Sequence, residues 1–146
     1  MGRRHPRSCV GLAGKAIIGH MTTDLAPLEV AERLFAAIQG GDIDGVRAIY
    51  HPDIEVWHNY DQVSQGCEDN LRVLGWMVRR VKSLCYEEIR RYETTDGFAQ
   101  QHVLRGTAPN GAELEVPAAL FCTVKGGQIT RIEEYLDTAQ TAVLRG

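Results

Sequence analysis

Cysteine is sparse in this 146-residue chain, and its four copies, Cys9, Cys67, Cys85 and Cys122, are widely scattered. They form neither a CxxC pair nor a cysteine–histidine ligand set, which excludes the common zinc modules and redox dithiols. The pattern suits reduced, partly buried thiols in a cytoplasmic protein. No apolar run approaches the roughly 18–20 residues that a membrane-crossing helix needs, so no membrane association is expected. No His, Asp and Glu set has metal-ligand spacing, and no glycine-rich phosphate loop follows a strand. The expectation is therefore no metal and no cofactor. A basic stripe is missing too. Residues 1–20 carry Arg3, Arg4, Arg7 and Lys15 and no acid. Twelve basic and nineteen acidic residues follow, leaving the rest at net −7. An acidic body of this kind argues against nucleic-acid binding.

What is present reads as one domain after a short extension. Lys15 and several glycines interrupt the apolar part of residues 1–20, so no clean secretory core forms, and Met21 offers a second start. Residues 1–20 are expected to be a disordered extension, with export the alternative, and residues 21–146 to be the domain. From Pro27, apolar residues recur at three- and four-residue spacing as far as Gly40-Gly41, which predicts a helix. A short helix over Ile43–Tyr50 follows, with Asp42 as its cap, then a strand over Ile54–Tyr60 and a third helix over Cys67–Val81. Four strands are expected over Cys85–Tyr92, Phe98–Thr107, Leu114–Val124 and Gln128–Tyr135. Turn-forming groups at Asp96-Gly97, Pro109-Asn110-Gly111 and Lys125-Gly126-Gly127 divide them into an antiparallel meander. One last helical turn or two is expected over Thr138–Leu144. The order predicts an α+β fold, with helices packed on one face of a strongly curved antiparallel sheet.

Two stretches carry a resemblance. "VAERLFAAIQGGDIDGVRAIYHPDIEVW" resembles the opening of the nuclear transport factor 2-like superfamily, the ketosteroid isomerase and SnoaL-like polyketide cyclase group. "VKGGQITRIEEYLDTAQ" resembles its closing hairpin and tail. The resemblance implies a cone-shaped fold, the sheet wrapped around the helices with a deep pocket at the wide end, and pairing into a homodimer through the outer sheet face. Because this fold serves enzymes, binding proteins and adaptors alike, function rests on the residues that line the pocket.

Matched to ketosteroid isomerases, the base position falls on His58, a group whose ordinary titration lies near neutral pH. Leu34 and Ala119 or Leu120 stand where those enzymes keep their oxyanion donors, so steroid isomerisation lacks its electrophile. Matched to limonene epoxide hydrolases, Trp57 and Asn59 take the water-holding positions, while Gln101 and Val103 replace an arginine and an aspartate. The resemblance to SnoaL-like cyclases makes His58, His102 and Asp137 acid–base candidates. Strand phase gathers Val56, His58 and Tyr60 on one side and Trp57, Asn59 and Asp61 on the other. The His58 phase is favoured as the inward one, because Val56 shares it.

Phe98, Gln100, His102 and Leu104 share one face, which turns into the cavity or, more ordinarily, to solvent. Gln101 has an equal claim to the inside. Trp76 on the third helix is core or ligand wall, and Tyr135 and Asp137 alternate on the last strand, where Asp137 can instead cap the terminal helix. Arg90 and Arg91 read as solvated surface. The expected catalytic residues are thus His58 and Asp137, with Trp57, Asn59, Tyr60, Trp76, Gln101, His102 and Tyr135 as binding residues. The expected function is a cofactor-independent acid–base isomerase or cyclase acting on an apolar carbonyl or polycyclic compound. A non-catalytic carrier of a small hydrophobic molecule, an epoxide-hydrolase-like enzyme and a protein-interaction adaptor are the alternatives.

Overall fold

The computed structural model describes residues 24–145, so the expected extension over residues 1–20 lies outside the described residues. Pro27, its φ already suited to a helix, opens α1 (Pro27–Gln39), whose buried side is Val30, Ala31, Leu34, Phe35 and Ile38. Gly41, at φ +68°, turns the chain out of that helix. The Asp42 carboxylate then accepts the Gly45 amide at 2.9 Å and starts α2 (Ile43–Ile49). In α3 (Cys67–Arg80), Glu68 and Asp69 lie in the first turn and Arg79 and Arg80 in the last, as the helix dipole favours.

The strands are β1 (Tyr50–His58), the two-residue β2 (Ser64–Gln65), β3 (Lys82–Thr94), β4 (Gly97–Thr107), β5 (Glu113–Lys125) and β6 (Gln128–Leu136). They form one sheet in the order β2-β1-β6-β5-β4-β3. From β3 to β6 it is the expected antiparallel meander. β1 departs from expectation: it joins β6 in parallel, which makes the sheet mixed. No tight turn can link parallel neighbours, and here α3 and four strands lie between them. β1 also begins at Tyr50 rather than Ile54. Pro52 is tolerated because it falls within a register shift between Tyr50 and Glu55, where the ladder needs no donor from it.

Two bulges bend β3, at register shifts between Lys82 and Cys85 and between Glu87 and Arg90. Ser83 and Glu88 sit in them at φ +56° and +54°, strained values for residues other than glycine. The bent sheet lays β3 and β4 against α1. At the start of β4, a Cβ on Gly97 would collide with the Cys122 carbonyl oxygen, so glycine is required for β4 and β5 to approach there. The core lies between α1 and the concave face, with Leu34, Ile54, Phe98, Leu114 and Ile129 fully buried. Cys67 and Cys122 carry free thiols; Cys85 does not, so the expectation of reduced thiols throughout fails there. No helix among the described residues is long and apolar enough to cross a membrane.

Candidate functional site

Alternation on the bent strands sends every second side chain to the concave face. On β1 these are Val56 and His58, and the phase continues to Tyr60 in the next turn; on β4 they include His102, and on β6 Ile132, Glu134 and Leu136. Together with α1, α3 and a terminal 3₁₀ helix (Thr138–Arg145) they enclose a cavity of about 280 Å³. Its wall is mostly aliphatic and aromatic. The titratable groups on it are His58, Glu134, His102, Tyr50, Tyr86 and Arg145, with Tyr60 half exposed.

The register explains how these groups meet. One rung runs across five strands: His58 is paired with Glu134, Glu134 with Leu120, Leu120 with Gln100, and Gln100 with Arg91. His102 stands one step along the same face, paired with Ala118, whose small side chain leaves room in front of it.

At one end of the rung, His58 Nε2 lies 3.6 Å from Glu134 Oε2. His58 is only 7% exposed, and its Nδ1 is buried without a hydrogen-bond partner. A proton on Nδ1 would therefore be buried unpaired, at a cost of about 1–3 kcal/mol. The geometry favours the tautomer with its proton on Nε2, directed at Glu134. Tyr60 stacks on the His58 ring with centroids 5.1 Å apart. Burial, then Asp61 and Glu134, push the Tyr60 hydroxyl above the ordinary tyrosine range, so it stays a phenol.

At the other end, Arg91 Nε donates to Gln100 Oε1 at 2.7 Å, and Gln100 Nε2 lies 2.9 Å from His102 Nδ1. The edges of Phe35 and Tyr86 hold the His102 ring, with centroids 5.5 and 4.7 Å away. Burial pushes His102 below the usual histidine range; Arg91 adds to this and Glu134 opposes it. This imidazole is neutral at neutral pH. Between the two ends, burial drives the Tyr86 hydroxyl far above the ordinary tyrosine range, with Glu134 adding to the shift. Tyr50, raised in the same way, donates to Asn70 Oδ1 at 2.9 Å, and Asn70 donates to Gln65 Oε1 at 3.1 Å. That buried chain fastens α3 to β1 and β2.

Of the residues expected at the site, His58, Tyr60, Trp76 and His102 line the cavity. The other five do not. Trp57 points to the opposite face of the sheet, where its ring meets Tyr135 at 5.5 Å. Gln101 is exposed on the same outer face, one residue out of phase with the buried Gln100 and His102. The Asn59 side-chain oxygen accepts the Leu136 amide at 3.0 Å, a bond that pins β1 to the end of β6. Asp137 is exposed and accepts the Ala139 amide at 2.9 Å, the capping role that was its alternative. Arg91, read as solvated surface, is instead part-buried on Gln100 and lies over the Phe35 ring at 5.6 Å. Sequence reading placed Gln100 on the face of His102, the face it expected to turn to solvent, and missed Glu134, Arg91 and Tyr86 as parts of the site. The available signal for Glu134 was Ile132, a core residue two positions before it and so on the same face. Among the described residues no group of three or more His, Cys, Asp or Glu is arranged to hold a metal ion.

Comparison with known proteins agrees with this architecture. An uncharacterized protein of Mycobacterium tuberculosis is 29% identical over 127 residues, covering 82% of this chain and 95% of its own length. IdmH of Streptomyces antibioticus, a candidate polyketide cyclase, superposes with a TM-score of 0.70 at 20% identity, covering 82% of this chain and 99% of that one. A protein of Catenulispora acidiphila with a ketosteroid isomerase-like fold, solved with trimethylamine, gives 0.65 at 17% identity, over 76% of this chain and 86% of that one. At such identities these two structures speak to the fold alone. The SnoaL-like domain model matches residues 31–132, which span the cavity strands β1, β4 and β5 and most of α1. With the curved sheet, the enclosing helices and that match in agreement, the chain belongs to the SnoaL-like domain family and has a ketosteroid isomerase-like fold.

Proposed function

We propose that the protein is an acid–base catalyst that acts without a cofactor on a small, largely apolar carbonyl or polycyclic compound. One observation carries this reading: a carboxylate and an imidazole, Glu134 and His58, stand 3.6 Å apart on the wall of an otherwise apolar cavity, with the neutral His102 on the same wall. Glu134 takes the proton from the carbon next to the carbonyl, and the His58 Nε2–H holds the carboxylate in place. This changes the part given to His58 from its strand position alone: its Nδ1 is buried and its Nε2 faces a carboxylate, so Glu134 is the freer acceptor. The charge that develops on the carbonyl oxygen is met by His102, filling the place that Leu34 and Ala119 or Leu120 leave empty. Return of the proton to another carbon gives isomerisation; attack of the carbanion on a second carbonyl closes a ring. Such general-base assistance is worth about 10²–10⁴ in rate.

The test is proton exchange. Apolar ketones from 2-tetralone to tricyclic ketones are incubated with the full chain in D₂O, and loss of the α-proton signal is followed by NMR. Exchange above the buffer rate that disappears in Glu134→Gln is expected. No exchange above buffer with any ketone in the series overturns the reading. Trp57, Asn59 and Gln101 lie off the cavity wall, which leaves the epoxide-hydrolase arrangement without its residues. The open cavity also speaks against a pure adaptor. Homodimerisation belongs to the same proposal: Phe121 and Tyr135 are about half exposed on the outer face beside Trp57, an aromatic surface that suits a second copy. Sedimentation at tens of micromolar is expected to show a dimer.

A further inference from the structure

We infer that Arg91 and Gln100 are positioning residues that lock His102 in its Nε2–H tautomer, so that the cavity offers a hydrogen-bond donor to a neutral carbonyl oxygen. This rests on the proposed reaction and names the chemistry its ligand must carry at that point. An arginine nitrogen can only donate, so the Gln100 atom 2.7 Å from Arg91 Nε is the amide oxygen. The amide nitrogen is thereby turned to His102, 2.9 Å from Nδ1, and it too can only donate. Nδ1 therefore accepts. In a neutral imidazole the remaining proton is then on Nε2.

The rest of the surroundings keep it there. Flipping the ring would bring a carbon against the Gln100 amide and is opposed by the Phe35 and Tyr86 edges. A second proton on Nδ1 would oppose two donors, and would add a cation next to Arg91. The other titratable groups around the ring are Tyr86, which burial keeps protonated, and Glu134, which partly offsets the effect of burial on His102. Gln100 is 2% exposed and does not line the cavity, so it acts on a ligand only through His102. A donor here, set in a mostly apolar wall, requires the ligand to present a lone pair at that point, as a neutral carbonyl oxygen does.

The tautomer is read directly in the ligand-free full chain, labelled with ¹⁵N-histidine, from the ring ¹H–¹⁵N correlations at neutral pH. The His102 signals are identified by their loss in His102→Gln. Nε2–H is expected in the parent. In Gln100→Glu, nearly the same shape, a carboxylate accepts from both neighbours, so a proton moves onto Nδ1. In Arg91→Met the amide is free to turn, and a mixture of the two tautomers is expected. Nδ1–H in the parent, or no change in either variant that folds, overturns the inference. A second readout uses 2-tetralone and its oxygen-free counterpart tetralin. The parent should hold the ketone about tenfold more tightly, and Gln100→Glu should lose that preference. Equal affinity of the parent for both compounds also overturns it. The tautomer does not depend on turnover: if it is found while the α-proton exchange is absent, the proposed reaction falls and the positioning stands.

Discussion

The two faces of the same strands differ more than any two elements of the molecule. On β1, β4 and β6 the inward residues His58, His102 and Glu134 stand one position from the outward Trp57, Gln101 and Tyr135. Outside, aromatic rings lie beside ion pairs such as Arg131–Glu55 at 2.7 Å and Arg105–Glu115 at 3.6 Å. Partly exposed pairs of this kind are each worth about 0–1 kcal/mol. Inside, polar groups are few, and a buried polar atom left alone costs more than a surface pair returns. Gln100, His102, Tyr50 and Asn70 are accordingly bonded to one another or to Arg91 and Gln65. His58 Nδ1 is the exception among the described residues, and it sits next to the carboxylate assigned the chemistry. A side chain's type thus says less about its role here than its parity on the strand does.

That contrast can be broken in steps. The largest effect is expected at the cavity carboxylate: Glu134→Gln should lower α-proton exchange about 10²–10⁴-fold. His58→Gln, which keeps a side-chain N–H donor, should lose only about tenfold, and Gln101→Ala nothing; similar losses at Glu134 and Gln101 would erase the distinction between faces. Next comes packing. Phe98→Ala, at a fully buried site, should cost about 3–5 kcal/mol in urea unfolding. Phe121→Ala, half exposed outside, should change the stability of a single subunit by about 0.5 kcal/mol or less. A smaller effect is pH-dependent. Because His102 titrates lower folded than unfolded, its neutral form favours the fold. That contribution is fully present above about pH 6.5 and is lost as the pH falls from there through the folded value. Unfolding at pH 7.5 and 5.5 should show a loss of stability on acidification that is shallower in His102→Gln. At Asp137 the effect should be confined to stability: its alanine variant removes one cap, about 1 kcal/mol, and leaves exchange unchanged.

Much of the fold was legible because its signals are local. The stripe Ala31, Leu34, Phe35 and Ile38, the Gly40-Gly41 stop and the three hairpin turns each sit within a few residues of sequence, although Leu28, counted with that stripe, is exposed. The inward phase of β1 followed from Val56 beside His58. Glu134 was hidden because Ile129 and Ile132 are both buried although three apart, across a register shift in the β5–β6 pairing. Counting parity back from Tyr135 and Asp137 therefore picked the outer face. The Arg91–Gln100–His102 contact was hidden for another reason. It depends on how β3 registers with β4, and that register is set by bulges at Ser83 and Glu88, where no glycine marks a positive φ. Nor does periodicity show that β1 will run parallel to β6.

That parallel pairing also orders events in time. His58 and Glu134 are neighbours only through the β1–β6 ladder, which the Asn59–Leu136 bond closes between residues 77 apart in sequence. Hairpins such as β3–β4 can zip locally, whereas this closure must wait until β6 has been formed and the entropy of a long loop has been met. The cavity wall that carries the carboxylate is therefore expected to be assembled last. Until then β1 has only the two-residue β2 beside it and its other edge unpaired, the stage at which the nascent chain is most open to wrong partners.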